Sequence, residues 1–314
     1  MSVSPEAAGA AARGCASDVD PLPDRPAAAV KVLGSMLRDL RLERDMGLKA
    51  AAAIIRGSAS KISRLERGES PPKHHDVLDL VRAYGVRDPA TLATVEDLLR
   101  KADQKPWWHR YADVTPGWVR RLISLEESAT RISTWEVHVV PGLLQTPEYA
   151  RAVITNGFPG ADPREIEQRV LLRRGRQEVL GNGQRTQLLI ALLDESVLQR
   201  PVGGPEVMAG QMRFLLQAIE RRWVQVRIVR FSRSATLTPP SSMTLLRFEH
   251  GGPQDLVYLE HVESATYLSR TKDVERYRAL LESLYLAAES RARSKAMILE
   301  AHDRYRAEQR AASG

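Results

Sequence analysis

Between Gly57 and Gly68 the chain runs Ser-Ala-Ser-Lys-Ile-Ser-Arg-Leu-Glu-Arg, a segment with a different chemistry on each side. Ile62 and Leu65 recur at helical spacing and point inward, which leaves Ser60, Ser63, Arg64 and Arg67 outward with Lys61 beside them. Short hydroxyl side chains let such a helix seat deeply in a groove between paired strands, and an arginine can pair bidentately with guanine O6 and N7. Ser58 suits the N-cap, its hydroxyl accepting from a first-turn amide, and exposed amides at that end favour a phosphate. Gly68 stops the helix, and Pro71-Pro72 prevents its resumption. The segment before it supplies a partner helix. Leu48, Ala51, Ala52 and Ile55 share one face, the alanines permit close approach, and Arg56-Gly57 forms the turn, with Gly57 expected to adopt the backbone angles other residues resist.

These two helices need a scaffold, and the surrounding periodicity predicts one. Five short helices are expected at about 31–45, 48–55, 59–67, 74–84 and 89–101, with Leu33, Met36, Leu37 and Leu40 striping the first. The reading is therefore a mainly α, five-helix domain over 31–103, preceded by a disordered tail over 1–30 that has no periodicity. Residues 104–134 read as a junction, in which Pro106 ends the fifth helix and a linking helix runs from Pro116 to about Thr134. Residues 135–314 read as a mixed α+β domain. Its strands are expected at 137–140, 188–193, 224–229, 243–248 and 256–259, and its helices at 147–155, 163–180, 205–222 and 273–309, the last broken near 290–294.

A length of 314 residues fits two domains, and a hydrophobic fraction of 43% is enough for real cores. The net charge of +7 is unevenly spread: residues 31–110 hold 16 basic and 11 acidic side chains, where a polyanion would bind most naturally. Cys15 is the single cysteine, which excludes an internal disulfide framework and a cysteine-rich zinc site. No apolar run reaches the ~18 residues of a membrane helix, and the N-terminus lacks the pattern of a signal peptide. A cytoplasmic protein with no membrane partner is expected.

Residues 33–90 resemble the Cro/phage-repressor (Xre-type) helix-turn-helix domain, and Ser58 to Gly68 is similar to its recognition helix. The resemblance implies a structural ion pair between Arg41 in the first helix and Glu66 late in the recognition helix. It places the sequence-reading positions on Ala59, Ser60, Lys61 and Arg64. The chain departs from the pattern at Leu48, where a phosphate-gripping glutamine commonly stands, and at Gly47, where Ser or Thr usually caps; Lys49 is the nearest substitute. The DNA-binding set is thus Ser58, Ala59, Ser60, Lys61, Ser63, Arg64, Arg67, Lys49 and Lys73.

Three further stretches resemble the C-terminal domain of such regulators from high-GC Gram-positive bacteria. They are Trp135 to Arg151 (WEVHVVPGLLQTPEYAR), Arg200 to Gly204 (RPVGG) and Val257 to His261 (VYLEH). The two resemblances together imply a sequence-specific transcriptional regulator that binds double-stranded DNA as a homodimer. The alternative they imply is an antitoxin-like protein whose C-terminal domain binds a small partner protein encoded nearby. No cofactor, metal or catalytic site is expected. His74-His75 lack ligand partners at metal spacing. Asp194, Glu195, Glu260 and His261 are too scattered for an acid–base site, and His261 reads as structural. Arg173-Arg174-Gly175-Arg176 could hold a second polyanion, but Glu165, Glu167 and Glu178 favour a solvated helix face. Trp107, Trp108 and Trp118 read as packing at the domain junction.

Overall fold

A computed structural model describes residues 27–181, 187–234, 239, 241–248 and 254–313. The expected tail lies outside the described residues as far as residue 26, and so does Cys15. Five helices come first: α1 (Ala27–Leu42), α2 (Leu48–Ile54), α3 (Ala59–Glu66), α4 (His74–Ala83) and α5 (Pro89–Asp103). Leu33, Leu37, Ile62, Val77 and Val81 are fully buried at their centre. α1 starts earlier than its leucine stripe predicts because Ala29 and Val30 pack on Ala102 of α5.

Four of these helices end in the same way, α1 with Asp45 at a φ of 49° and the Met46 amide on the Arg41 carbonyl at 3.2 Å. After α2, α3 and α4 one residue takes a positive φ, and the next amide reaches back to the carbonyl five positions earlier, the Schellman arrangement. These bonds are Gly57 to Ala52 at 2.8 Å, Glu69 to Arg64 at 2.8 Å and Val86 to Val81 at 3.2 Å. The positive-φ residue is Gly68 (69°) after α3 and Gly85 (75°) after α4, but Arg56 (49°) after α2. The left-handed position expected of Gly57 therefore falls one residue earlier, because the length of α2 fixes which residue follows its cap.

The second half holds α6 (Gly117–Glu126), β1 (Arg131–Glu136), α7 (Pro147–Gly157), α8 (Pro163–Gly181), β2 (Leu188–Asp194), α9 (Pro205–Ile219), β3 (Val224–Val229), α10 (Phe231–Ser234), β4 (Met243–Arg247), β5 (Leu256–Glu260), β6 (Ala265–Leu268), α11 (Thr271–Ala287) and α12 (Arg291–Ser313). Short 3-10 helices lie at 107–114, 142–144 and 195–198. The sheet order is β3-β2-β1-β4-β5-β6. β1, β2 and β3 run parallel, and β4, β5 and β6 join antiparallel. One face buries Ile132, Leu189, Ala191 and Val226 under α9 and α12. The other buries Trp135, Ile190, Leu192 and Val257 under α11. Helices on both faces make this an α+β domain of three layers.

The chain around residue 130 differs from expectation. The linking helix stops at Glu126, and the first strand is 131–136 rather than 137–140. The cause is pairing on both sides: the Thr130 amide bonds the Arg247 carbonyl at 2.8 Å, and its own carbonyl accepts from Leu188 at 2.9 Å. β6 was not expected either. It is only four residues long, Ala-Thr-Tyr-Leu, and it exists by pairing with β5. The C-terminal helical stretch breaks at 288–290.

Candidate nucleic-acid interface

α3 is held from behind and open in front. Ile62, Leu65 and Glu66 are buried, whereas Ser60 and Arg64 are exposed and Ala59 is half-buried between them. Ser58 caps the helix, its Oγ accepting from the Lys61 amide at 3.1 Å. Behind the helix, Arg41 Nε and Nη2 donate to Glu66 Oε1 and Oε2 at 2.6 and 2.8 Å, and both side chains are less than a tenth exposed. Arg41 Nη1 also donates to the Met46 carbonyl at 2.7 Å, so one guanidinium ties α1, the turn before α2 and the end of α3. The Glu66 bond is the largest cause that holds the Arg41 pKa above its ordinary value.

Gly34 sets how closely α1 approaches. A Cβ there would lie 2.5 Å from the Glu66 carbonyl oxygen and 2.6 Å from that of Leu65. A glycine inside a helix costs about 0.5–1 kcal/mol, and this one is what lets the two backbones touch. Nothing in the leucine periodicity pointed to it.

Lys61 and Arg67, both expected on the outer face, meet acids at its edges. Lys61 Nζ lies 2.6 Å from Asp76 Oδ2, and Asp76 is buried in the first turn of α4. Arg67 forms a bidentate pair with Glu69 at 2.7 and 2.8 Å and donates to the Ser63 hydroxyl. The Glu69 bond is the largest cause raising the Arg67 pKa. Asp76 and Glu69 are the residues that sequence reasoning missed; an acid in a first turn and an Arg-Gly-Glu step were the available signals. Lys49, Arg56 and Lys73 are exposed around the helix. Gly47 precedes α2 without a side-chain cap bond, as does Lys73 before α4.

The other stretches resolve as follows. His75 sits on the surface beside Asp76, its Nε2 at 3.1 Å. Among the described residues no group of three metal-ligating side chains converges, and no helix is long and apolar enough to cross a membrane. Asp194 accepts from the Ser196 amide at 2.9 Å, and Glu195 accepts from that of Phe231 at 3.0 Å. Exposed His261 meets the Thr266 hydroxyl at 3.2 Å. β2 and β5, which carry these pairs, lie three strand spacings apart, roughly 14 Å, so the four side chains do not converge.

The arginine run is only partly a solvated face. Arg174 is exposed and pairs with Glu178, while Arg176 turns inward onto buried Glu126 at 2.7 and 3.0 Å. Arg173 turns inward too, onto Gln145. The helix is two-sided because it lies along the 3-10 segment 107–114. Trp108 there is 1% exposed and packs with Tyr111, Ile123 and Leu172, and Trp107 donates to Glu127 at 2.7 Å.

Residues 32–95 match the family described as a helix-turn-helix domain, and residues 119–300 match that described as a domain of unknown function, DUF5753. No curated protein matches the chain, and no solved structure does. The first match supports a DNA-binding regulator.

Proposed function

Because the chain belongs to the DUF5753 family and carries a helix-turn-helix domain ahead of that region, we propose that it regulates transcription as a homodimer, each copy inserting α3 into the major groove of double-stranded DNA. The observation that carries this reading is the exposed front of α3, with Ser60 and Arg64 outward and Ile62, Leu65 and Glu66 locked behind. Arg64 reads a base edge, Ser60 supports it, and Ala59 allows close approach. Exposed Lys49 and Lys73 hold phosphates, which position the protein without reading sequence. Lys61 on the same face and Arg67 at its edge contact the DNA as well, each steadied by an acid, Asp76 and Glu69. One such domain spans only a few base pairs, so a two-fold site with half-sites roughly 34 Å apart is the expected operator.

The test is selection of bound duplexes from a random pool, followed by titration of wild type and Arg64→Ala on the selected site and on its single-base variants. The expected loss is ~1–3 kcal/mol, concentrated at one base pair. Equal weakening on every sequence would make Arg64 a phosphate contact and remove it from the reading role. Affinity should fall with salt at a log–log slope near −0.9 per phosphate neutralised.

A further inference from the structure

Away from α3, the second half of the molecule contains a cleft of about 470 Å³ between α6, α8 and the end of β5. That volume is within the roughly 300–1,000 Å³ typical of small-molecule sites. One part of its wall is apolar, with Trp118, Val119 and Leu122 of α6 beside Ile154 and Phe158 of α7. Three arginines of α8, at positions 169, 173 and 176, enter it from one helix face.

Their partners differ. Arg176 is neutralised by the bidentate pair with Glu126. Arg169 stacks over the Phe158 ring at 4.1 Å and has one distant acid, Glu165 at 3.8 Å. Arg173 has no carboxylate within salt-bridge distance among the described residues; its hydrogen bond goes to the neutral amide oxygen of Gln145. That amide is itself fixed, because Gln145 is buried and its Nε2 donates to the Val140 carbonyl at 2.6 Å. The motif Pro-Gly-Leu-Leu-Gln thus ends on the residue that aims Arg173. Burial, and after it the neighbouring Arg176, push the Arg173 guanidinium down to about 10. Against these act Glu260, exposed at the cleft rim, and after it Glu136 and Glu126, none of them within salt-bridge distance of Arg173 among the described residues.

We propose that this cleft binds a small organic anion with an apolar body, its acidic head on Arg173 and its body between Trp118, Val119 and Phe158. A half-buried guanidinium whose acids all lie beyond salt-bridge distance gains from a closer one, and a bound carboxylate or sulfonate supplies it through charge-assisted bonds. The cleft is also lined by Val114, Thr115 and Pro116, the step from the 3-10 segment 107–114 into α6. The proposal does not depend on DNA binding.

The test uses the full chain without DNA and two fluorescent probes of similar apolar body. These are the anion 8-anilinonaphthalene-1-sulfonate and its uncharged counterpart N-phenyl-1-naphthylamine. The sulfonate should bind with one saturable site per chain. Arg173→Met should weaken the sulfonate at least tenfold and leave the neutral probe within twofold. Val119→Trp, which adds bulk to the apolar part of the cleft wall and leaves the Arg173 side chain in the sequence, should abolish both. Should Arg173→Met fail to fold, Val119→Trp and the tenfold preference for the sulfonate over the neutral probe in wild type still decide the matter. Equal affinity of the two probes in wild type, sulfonate binding unchanged in Arg173→Met, or probe retained by Val119→Trp would each overturn the assignment.

Discussion

Replacing Glu66 by Met tests how the recognition helix is held. The substitution removes a carboxylate that accepts two bonds from Arg41, at 2.6 and 2.8 Å, in a place where both side chains are less than a tenth exposed. Arg41 keeps one partner, the Met46 carbonyl, so a nearly buried guanidinium is left without a counter-ion. Breaking one side of a buried pair costs ~3–5 kcal/mol. Local relaxation is limited, because the Leu65 and Glu66 carbonyls already press on Gly34. The readout is hydrogen exchange of the Ile62 and Leu65 amides in the whole chain, which avoids assuming that two domains unfold together. At about 1.4 kcal/mol per tenfold, their exchange should quicken roughly a hundred- to several-thousand-fold. The double substitution Arg41→Met with Glu66→Met should recover most of the protection, because an apolar pair of similar volume removes the unpaired charge. A single variant as protected as wild type would refute the argument. A double variant as labile as the single would show that shape, not charge, is what Glu66 supplies.

Three other perturbations follow from particular residues. Gly34→Ala should destabilise the helical domain by ~1–3 kcal/mol through overpacking against the α3 carbonyls, seen as faster exchange in both α1 and α3; unchanged exchange would mean the helices can part at no cost. Arg56→Gly should stabilise α2 by about 0.5–1 kcal/mol, since Arg56 holds the left-handed position that glycine fills after α3 and α4; slower exchange of the α2 amides at high salt is the measurement, and a loss of protection would contradict it. Burial, the largest influence, lifts the Glu136 carboxyl from 4.5 to about 7, against side-chain hydrogen bonds from Ser242 and Thr134 that favour the anion. The folded chain then holds a proton that the unfolded chain releases, so this group's contribution to stability falls by roughly 2–3 kcal/mol as pH rises from 4.5 to 7. Denaturation midpoints of Glu136→Gln should lack that decline, and profiles parallel to wild type would show that Glu136 titrates normally.

Several features were legible before any coordinates. The apolar stripes of α3, α4 and α5 and the runs that became β2 to β5 belong to the sequence because each is a local period facing one buried side. The cap at Ser58 and the stop at Gly68 are local as well: each satisfies helix-end groups from within a few residues. Where the governing contact lay far along the chain, local reading fell short. Thr130 looks helical from its neighbours and becomes the entry to a strand because residues 188 and 247 pair with it. Arg173 and Arg176 sit in a run that reads as solvated, yet the packing of α8 on the tryptophan segment turns them inward.

What the amino-acid order settled alone was a helical N-terminal region ahead of a mixed α and β one, and the residue types that α3 carries. Only the tertiary structure showed that Lys61 meets Asp76 and Arg67 meets Glu69, through turns that no period encodes. It alone also placed the Arg173 side chain against a partly apolar cleft. The physical reason is that a helix period fixes the direction of a side chain, whereas the partner it meets depends on how closely a distant segment can approach, which here turns on Gly34 and on Gly175, where a Cβ would lie 2.3 Å from the Trp107 ring.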